Sequence, residues 1–586
     1  MRMAINKSYS WEILSEMEEM EKEFVTRLNL NPLVARILIN RDINTVEKAE
    51  KFLYSDYEDL HSPLLISGMD KAIERISKAV RDKDKIIIFG DYDVDGMSST
   101  SLLMIFFKHL NLPVSYYIPH RIDEGYGLND AAIRKIAEDE IKLLITVDCG
   151  VTSVKEVNLA NELGMDVIIT DHHQVSETLP DAYALLNPSR PECGYPFKHL
   201  AGVGIAFKLI CALKDAFIEN GILNAKNEPN LKRSLDLVSL GTLADMVPLI
   251  GENHLLVRLG LQEMAKSRKV GLRALMNLGN FGSRPIADTD IGFFLAPRLN
   301  AIGRLHNAGL GVELLTTDDR HHAKEIAKMM DEENTKRQSL QARILGEVID
   351  LIESEVDLEK DKAIVLASAG WHQGVIGIVA SKVVERFNLP TILLNIEDEV
   401  CQGSARSTPN FHVYEGLSRC RDLLLHFGGH KYAAGLALRL ENLEVFKKGF
   451  KSIAAEGLPL EPSDKILHID NIASIEQIYL ESVEEILELG PFGPQYPYPK
   501  ILIKGVSFIG TPYFVGREKE HVRFEIGFKD TIIDGIGFGM SEKFKNVVGN
   551  DRKYDIVVTP TILNRGEMFK AIQLRLCDFH SSEEQI

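Results

Sequence analysis

Residues 85–96 read Lys85-Ile86-Ile87-Ile88-Phe89-Gly90-Asp91-Tyr92-Asp93-Val94-Asp95-Gly96. A short apolar run that ends in glycine and alternating aspartates predicts a buried strand that opens into a polar loop. Two later segments repeat this design: residues 143–147 lead into Asp148-Cys149-Gly150, and residues 167–170 lead into Asp171-His172-His173. Amphipathic helical patterns separate the apolar runs, and this alternation of strand and helix predicts a parallel α/β sheet.

The acidic residues at these strand ends are expected to meet. In a parallel sheet the carboxyl ends of all strands lie along one edge, so segments far apart in sequence converge there. Asp245, in residues 241–248 after a helical run, is a further candidate. Neighbouring carboxylates cannot all ionise cheaply unless cations lie between them. One Asp-x-Asp alone would more often be a helix cap or a turn, but three such strand ends favour a metal site.

Two divalent cations suit this set of side chains. Oxygen ligands with a histidine favour Mn²⁺ or Mg²⁺ over zinc. Two metals about 3.5–4 Å apart can clamp the attacking and leaving oxygens of a phosphoryl transfer. The sequence offers no convincing Ser/His/Asp triad and no Gly-x-x-x-x-Gly-Lys-[Ser/Thr] loop for ATP. We therefore predict a phosphoesterase with two metal ions and a water nucleophile.

The chain has 586 residues, too many for a single hydrophobic core. We predict six parts: a helical segment at 1–55 (helices at 11–23, 32–38 and 46–53), a parallel α/β catalytic domain at 56–260, a helical extension at 261–318, a connecting helix at 319–353, a smaller α/β domain at 354–460, and a strand-rich domain at 461–586. For the connecting helix, two shorter helices with a break near Asn334 are the alternative. Five predicted strands in the last domain fit a small β-barrel of OB type, with a simple sandwich as the alternative.

The composition constrains the function and location of the protein less than the motifs do. The net charge of −18 disfavours a nucleic-acid partner, because polyanions bind where cations neutralise phosphates, but a carboxylate-rich metal site would account for part of that charge. An acidic enzyme that acts on a small molecule is the alternative. The six cysteines form no Cys-x-x-Cys pair, which predicts neither a zinc ribbon nor a disulfide framework. We find no signal peptide and no membrane span, and expect a cytoplasmic protein.

These motifs together resemble the DHH phosphoesterase superfamily. The resemblance rests on Asp91 to Gly96, Asp148, Asp171-His172-His173 and Asp245, in that order along the chain. Gly428-Gly429-His430 with Ala433-Ala434-Gly435 resembles the companion DHHA1 domain. Within the superfamily, residues 119–128, 297–304, 371–377 and 403–407 resemble nucleases of the RecJ type. The resemblance covers nearly the whole chain, and it implies two α/β domains followed by an OB domain.

The resemblance also implies which residues would hold each of the two metals. Asp93 and Asp148 would hold one metal; Asp95, Asp148, His172 and Asp245 would hold the other, with Asp148 bridging; and Asp91 is a further candidate. His173 would face the substrate phosphate. Phe89 stands where pyrophosphatases of the superfamily carry a histidine, which argues against that activity and leaves the first metal one protein ligand short.

A second group of residues is expected to bind the substrate. By resemblance, Arg121, Arg304, Ser404 and Arg406 form a pocket for a terminal 5′-phosphate, and guanidinium groups suit phosphate because they can bind it through two donors. For any one arginine alone, a surface salt bridge is an equal alternative. The further substrate-binding candidates are Tyr126, Arg298, Asn300, His372, Gln373, Ser407 and His430.

Aromatic residues of the predicted barrel add candidates for stacking on bases, as OB folds do. They are Phe508, Tyr513, Phe514, Phe524 and Phe538, most of which we expect in the barrel core. Arg517, Lys519, His521 and Arg523 form a local positive patch beside them.

Together with the two-metal interpretation, the resemblance to RecJ-type nucleases implies a metal-dependent 5′→3′ exonuclease that degrades single-stranded DNA to 5′-mononucleotides in DNA repair and recombination. The alternative is a phosphodiesterase of the same superfamily that acts on short oligoribonucleotides or cyclic dinucleotides, and a non-enzymatic scaffold is a third hypothesis. The expected partner is single-stranded DNA with a 5′ end. A single-strand-binding protein and a helicase are candidate protein partners, and we expect a monomer.

Overall fold

A computed structural model describes residues 9–14, 17–279, 281, 284–458, 465–516, 518–528, 531–545, 547, 552–564 and 570–583. The chain forms two compact units. The central unit comprises His61–Asp245 and Gly260–Pro462. The terminal unit comprises Met1–Leu60, Met246–Leu259 and Ser463–Ile586.

The first half of the central unit is built on a parallel sheet of five strands. Their order across the sheet is Val114–Tyr117, Ile86–Gly90, Leu143–Val147, Asp166–Thr170 and Ala184–Leu186. The second and third strands are buried along their whole length. Because helices cover both faces of such a sheet, its strands are continuous apolar runs rather than alternating ones. The predicted parallel α/β fold is confirmed.

Helices make up most of the rest of the central unit. They are Met69–Asp82, Val94–His109, Asp130–Glu138, Val154–Glu162, Gly202–Glu219, Leu235–Ala244, Val270–Leu278, Asp288–Asp290, Ala296–Leu305, Gly309–Thr316, Arg320–Glu355, Gln373–Phe387, Val413–Ser418 and Leu443–Gly457, with a π-helical turn at Ile291–Leu295. Helix Gly251–Ala265 begins in the terminal unit and ends in the central one. Among all of these, Val94–His109 carries the acidic motif at its start and is buried along most of its length.

The connecting helix is continuous over Arg320–Glu355, 36 residues, so the alternative with a break near Asn334 is wrong. Its apolar positions recur at helical spacing along its length and are buried, including Ile326, Ile344 and Val348. The side chain of Asp319 caps its first turn by accepting hydrogen bonds from the amides of His321 and His322.

The second half of the central unit holds a mixed sheet. The strands lie in the order Leu424–Gly429, Ala433–Arg439, Val400–Arg406, Thr391–Glu397 and Ile364–Ala369, and only the last two are parallel neighbours. Sequence patterns missed Leu424–Gly429 and Val400–Arg406. The latter contains Gly403 and Ser404, whose small polar character is typical of a loop, and pairing on both sides makes it a strand.

The terminal unit contains a closed barrel. Its sheet runs Asn471–Ala473, Ile501–Val515, His521–Phe528, Thr531–Gly537, Lys570–Ser581 and Tyr554–Asn564, and the second and last strands also pair with each other, which closes five strands into a barrel. Helices Leu480–Glu488 and Ser541–Phe544 accompany it. This matches the predicted OB-type domain. Phe508 and Phe524 lie in its core, whereas Tyr513, Phe514 and Phe538 are exposed, so most of the five rings are not core residues. Arg517 lies outside the described residues.

The N-terminal residues differ from the prediction at one place. Helices occupy Glu18–Leu28, Pro32–Ile39 and Val46–Tyr54, but Tyr9–Ile13 forms a strand parallel to Lys465–Ile469. The indole of Trp11 donates a hydrogen bond to Asp578 at 2.9 Å. The partner strand, Lys465–Ile469, lies far along the chain, so the local pattern of Tyr9–Ile13 could not reveal the pairing. Within the described residues, no helix is both long and apolar enough to span a bilayer.

Candidate active site

Three neighbouring strands of the parallel sheet end in register. Gly90 pairs with Val147, and Val147 pairs with Thr170. Asp91, Asp148 and Asp171, which directly follow these residues, therefore leave the same edge of the sheet side by side. The order of the strands reverses direction between Ile86–Gly90 and Leu143–Val147, and such a switch point is where open α/β sheets leave a crevice for ligands.

Asp93 and Asp95 stand at the start of helix Val94–His109. Asp93 caps this helix, because its Oδ1 accepts hydrogen bonds from the amides of Asp95 at 2.9 Å and Gly96 at 3.1 Å. The two carboxylate oxygens of Asp95 accept from the amides of Gly202 at 2.7 Å and Val203 at 2.9 Å, which begin helix Gly202–Glu219. Each carboxylate is thus fixed by a helix N-terminus, where negative charge is favourable.

Asp148 is at the centre of the cluster. Its Oδ1 lies 3.1 Å from His172 Nε2, which in turn lies 3.5 Å from Oδ2 of Asp245 at the end of helix Leu235–Ala244. The backbone of Asp148 has a φ of 61°, a left-handed conformation that is costly for residues other than glycine. Hydrogen bonds from its amide to Thr170 at 3.0 Å, and from the Tyr126 hydroxyl to its carbonyl at 3.2 Å, hold it there.

Potential ligand atoms within 4.8 Å of one another form three overlapping groups. The groups are Asp91 with Asp93 and Asp148, Asp95 with His172 and Asp245, and Asp148 with His172 and His173. The structure therefore brings together every residue that the sequence proposed as a metal ligand. The overlap at Asp148 and His172 gives an arrangement with room for two sites that share a ligand.

The chemistry of these donors fits divalent cations. Four of the atoms are buried and have no hydrogen-bond partner: Asp91 Oδ1, Asp148 Oδ1, His172 Nε2 and Asp245 Oδ2. The short distance between Asp148 and His172 is therefore not a hydrogen bond of acceptable geometry. Buried polar atoms are otherwise almost always satisfied. Bound cations would satisfy these atoms, and carboxylate and imidazole donors are suited to Mn²⁺ or Mg²⁺.

The electrostatics of the cluster without bound metal also favour a cation site. Burial and mutual repulsion raise the pKa of Asp91, Asp148 and Asp245 well above their usual range, and raise the pKa of Asp95 to about 7. Burial, together with the charge of His173, lowers the pKa of His172 to about 4. His172 is therefore neutral at pH 7, which is the form that binds metals.

His173 has different surroundings. Its Nδ1 lies 2.7 Å from Oδ1 of Asp171 and 3.1 Å from the hydroxyl of Tyr126. Burial opposes protonation of His173, but the hydrogen bond with Asp171 and the charges of Asp171, Asp91 and Asp93 together raise its pKa. Asp171 is in turn held by the amide of Val151 at 2.9 Å. Sequence reasoning did not assign this positioning role to Asp171, although the aspartate directly precedes the two histidines.

Two glycines missed by the sequence analysis leave room for the carboxylates. A Cβ on Gly202 would lie 2.8 Å from Oδ1 of Asp148, and a Cβ on Gly241 would lie 2.7 Å from Oδ1 of Asp95. Both distances are shorter than real side chains allow. The detectable signal was a glycine inside the helical run at 235–244, where glycine is unfavourable without a packing reason.

Substitution of Gly202 by alanine is expected to weaken metal binding by about 10–100-fold, the range found when groups that orient ligands are altered. The new methyl group would displace the Asp148 carboxylate, although alanine itself favours the helix. Titration with Mn²⁺ in a calorimeter measures the change. Gly204→Ala, two residues later on the same helix, is the matched control, because its Cβ would meet only the side chain of Leu200, at 3.3 Å. Equal affinities of the two variants would contradict the prediction.

A cationic pocket lies in the same unit. A cavity of about 220 Å³ is lined by Tyr92, Arg121, Ile122, Gln373, Gly374, Ile376, Gln402, Gly403, Ser404 and Gly435. The Arg121 guanidinium lies over the Tyr92 ring, 4.6 Å from its centre, and Tyr92 itself stands between two aspartates of the metal cluster. The cavity therefore borders the acidic cluster through Tyr92.

Arg304 and Arg406 are held close to this cavity. Arg304 donates a hydrogen bond to the carbonyl of Gly374 at 3.0 Å, and Arg406 donates to Oγ of Ser404 at 2.7 Å. Burial, with the charges of neighbouring arginines that include Arg121, lowers the pKa of Arg304 to about 9 and that of Arg406 to about 10. Among the described residues no carboxylate forms an ion pair with any of the three arginines. Their combined positive charge therefore remains open to an anion.

The structure places three other substrate candidates near the pocket. His372 caps helix Gln373–Phe387, because its side chain accepts a hydrogen bond from the backbone amide of Gly374 at 3.1 Å. The side-chain amide of Gln373 donates to the side chain of Gln402 at 2.9 Å. Burial lowers the pKa of His430, and the charges of Arg406 and His173 contribute, so His430 lies within electrostatic reach of both parts of the site.

Two predicted substrate residues have other surroundings. Arg298 pairs with Asp331 at 2.8 Å and stacks on the ring of Phe294. The hydroxyl of Ser407 donates to the carbonyl of Phe411 at 2.9 Å. These contacts are structural, and the described geometry does not bring either side chain into the cavity. Asn300 lies one helical turn before Arg304, on the same face of helix Ala296–Leu305.

Comparison with known proteins identifies the class and then the family. Family models match the DHH family N-terminal domain at residues 85–242, the DHHA1 domain at 360–456 and the RecJ OB domain at 469–578. With the strand-end cluster of aspartates and histidines, these matches define a DHH phosphoesterase. The chain is 39% identical to the single-stranded-DNA-specific exonuclease RecJ of Bacillus subtilis over 98% of its own length and 71% of that protein. The chain belongs to the RecJ family.

Two further relatives are consistent with this family. RecJ of Haemophilus influenzae is 34% identical, over 88% of this chain and 90% of that protein. The crystal structure of RecJ from Thermus thermophilus in complex with Mn²⁺ superposes with a TM-score of 0.81 at 27% identity, covering 98% of this chain and 80% of that one.

Proposed function

We propose that this protein is a metal-dependent exonuclease that degrades single-stranded DNA from its 5′ end to 5′-mononucleotides, in DNA repair and recombination. The observation that carries the proposal is an acidic cluster with four unsatisfied buried ligand atoms beside a pocket of arginines without carboxylate partners among the described residues. The relatives that match almost the whole chain are named single-stranded-DNA-specific exonucleases.

Two divalent ions, Mn²⁺ or Mg²⁺, are the cofactors. Crystal structures of the Thermus thermophilus relative are in complex with each of these ions. In this chain the residues that would hold them are Asp91, Asp93, Asp95, Asp148, His172 and Asp245. When bound, the ions activate the attacking water and offset the charge that develops on the phosphodiester.

The remaining residues of the cluster position the scissile phosphate. His173, whose Nδ1 is held by Asp171, would donate a hydrogen bond to a non-bridging phosphate oxygen. The Tyr126 hydroxyl, 3.1 Å from Nδ1 of His173, limits the orientations of that ring. Such preorganised donors lower the barrier because they need no rearrangement as negative charge builds up.

The arginine pocket determines the direction of attack. Arg121, Arg304, Arg406 and Ser404 would bind the terminal 5′-phosphate, and the next phosphate along the strand would then lie at the metal cluster. Cleavage there releases one nucleotide that carries a 5′-phosphate. Gln373 and His372 would extend the pocket at the N-terminus of helix Gln373–Phe387, where the positive end of the helix dipole favours anions.

Substitution of Arg121 by glutamine is expected to lower kcat/KM for 5′-phosphorylated single-stranded DNA by about 10–100-fold, because a hydrogen bond to a charged group contributes about 1.5–3 kcal/mol. The loss on 5′-hydroxyl DNA should be much smaller. Initial rates on both substrates measure the difference. Arg134→Gln, an exposed arginine on helix Asp130–Glu138, is the control. Equal losses on both substrates would contradict the proposed pocket.

The function itself is tested by digestion of end-labelled single-stranded DNA, duplex DNA, RNA and dinucleotides, in Mn²⁺ and in Mg²⁺. We expect 5′-mononucleotides from the first appearance of product and little cleavage of blunt duplex. Faster turnover of dinucleotides than of long single strands would replace the proposal with the short-oligonucleotide phosphodiesterase.

We also propose protein partners, a location and an oligomeric state. A single-strand-binding protein and a helicase would supply the single-stranded substrate, and the protein would act as a cytoplasmic monomer. The exposed rings of Tyr513, Phe514 and Phe538 on the barrel support contact with bases, since stacking on aromatic side chains is how OB folds hold single strands. The six-part division of the chain and the individual roles of the site residues remain predictions.

A further inference from the structure

The connecting helix carries an arginine that the proposed mechanism does not use. Arg337 donates from Nη1 to Oε1 of Gln341 at 2.9 Å and from Nη2 to Oδ1 of Asn334 at 2.5 Å. Asn334 and Gln341 are themselves buried, at 2% and 7% exposure. Positions 334, 337 and 341 share one face of the helix. Two buried amides therefore fix the guanidinium in a defined place.

This face packs near the arginine pocket. Glu333, one turn before Arg337, lies 3.1 Å from Nε2 of His306. His306 directly follows helix Ala296–Leu305, which carries Arg304 in its last turn. After burial, the charges that most lower the pKa of Arg304 are those of Arg121, Arg337 and Arg406. Arg337 is thus a fourth arginine within electrostatic reach of the pocket.

Arg337 differs from the other cations around it in its partners. Arg298 pairs with Asp331, Lys336 with Glu333 and Arg343 with Glu347. Arg337 is half-buried, yet in the described parts of the chain no carboxylate pairs with it. Burying a charge is costly unless an opposite charge offsets the cost. Neutral amides orient the guanidinium, but among the residues with described positions they leave its full charge, and three of its five N–H donors, available.

We propose that Arg337 determines selection of the 5′-phosphorylated end, by raising the positive potential at Arg304 and so favouring a terminal phosphate dianion over an uncharged 5′-hydroxyl. It is a positioning residue, since it acts through Arg304. The inference rests on the proposed exonuclease function, because it assigns a role in the pocket that this function requires. A partly buried charge is weakly screened by salt, so its effect would persist at physiological ionic strength.

The test compares kcat/KM on single-stranded DNA with a 5′-phosphate and with a 5′-hydroxyl. In Arg337→Gln we expect the ratio of the two values to fall about tenfold, with most of the change in KM for the phosphorylated strand. Arg337→Lys, which keeps the charge, should restore part of the ratio. The matched control is Arg343→Gln on the same helix, whose partner is Glu347 at 3.1 Å, and it should leave the ratio unchanged.

Asn334→Asp provides a second test that does not remove the arginine. The carboxylate has almost the shape of the amide but would neutralise Arg337, so we expect the ratio to fall as in Arg337→Gln. A purely structural role predicts the opposite, because an ion pair would hold Arg337 at least as firmly and leave the ratio intact. If Arg337→Gln fails to fold, Asn334→Asp decides the matter alone.

The outcomes separate the inference from the proposed function. A wild-type protein that fails to degrade single-stranded DNA, or shows no preference for the 5′-phosphate, overturns the proposed end recognition and the inference with it. A wild-type preference that survives unchanged in both Arg337→Gln and Asn334→Asp overturns only the role of Arg337.

Discussion

Replacement of Asp148 by asparagine is expected to lower the rate of single-stranded DNA hydrolysis by about 10³-fold or more, while the fold is retained. Asp148 belongs to two of the three groups of ligand atoms and its Oδ1 has no hydrogen-bond partner. An amide cannot supply the charge that balances two cations. Metal-ion catalysis contributes several kcal/mol to stabilising the transition state, and each 1.36 kcal/mol corresponds to about a factor of ten in rate.

The stability of the metal-free protein should change in the other direction. Burial and the neighbouring aspartates raise the pKa of Asp148 well above its usual range, so its ionised form is destabilising in the absence of cations. The Asp148→Asn substitution removes that cost, and the variant should unfold at the same temperature as the wild type or higher. Calorimetry without metal and initial rates with Mn²⁺ measure the two effects. Asp139→Asn, at the exposed end of helix Asp130–Glu138, is the control.

A variant that loses activity because it unfolds would show a lower unfolding temperature, or no unfolding transition, in the calorimeter. That result differs from the one expected here. Hydrolysis by a folded Asp148→Asn variant at a rate within about tenfold of wild type would contradict the two-metal assignment, because one ligand shared between ions cannot be dispensable.

Removal of divalent metals is expected to abolish hydrolysis completely, with recovery on addition of Mn²⁺ or Mg²⁺. The pH dependence of stability gives a second measure. In the folded, metal-free protein, carboxyls with raised pKa values keep protons that the unfolded chain has already released at the same pH. Stability should therefore fall as pH rises from about 4, the pKa of unfolded aspartate, through about 7, the pKa of Asp95.

Metal ions reverse this trend because they replace the protons. We expect the rise in unfolding temperature on addition of Mn²⁺ to be larger at about pH 8 than at about pH 6, since binding releases protons and tightens as they become scarcer. The same titration on Asp148→Asn should show a smaller rise at both values. A rise that does not depend on pH, or activity in the presence of excess chelator, would show that the cluster is not the metal site.

Much of the site could be predicted from the sequence because its residues follow apolar runs that are strands. The rule that parallel strands end at one edge needs no knowledge of contacts, and it predicts that Asp91, Asp148 and His172 lie together. The arginines of the pocket came from a resemblance; in the structure Arg121 lines the cavity, and Arg304 and Arg406 bond to two residues that line it. The structure does not bring Arg298 and Ser407 into this cavity. They bind Asp331 and the carbonyl of Phe411, and no sequence motif could reveal these partners.

Periodicity along the chain was enough to predict the alternation of strands and helices and the acidic strand ends, because it reflects which face of each element is buried. It left open whether the connecting helix is continuous, and the fold shows that it is. The fold also shows which distant segments pair: Tyr9–Ile13 with Lys465–Ile469, the two strands that close the barrel, and Val400–Arg406 with its two neighbours. It also revealed Gly202 beside Asp148 and the two buried amides that orient Arg337. The pairings, the place of Gly202 and the burial of these amides depend on contacts between residues far apart in sequence, and local patterns carry no record of such contacts.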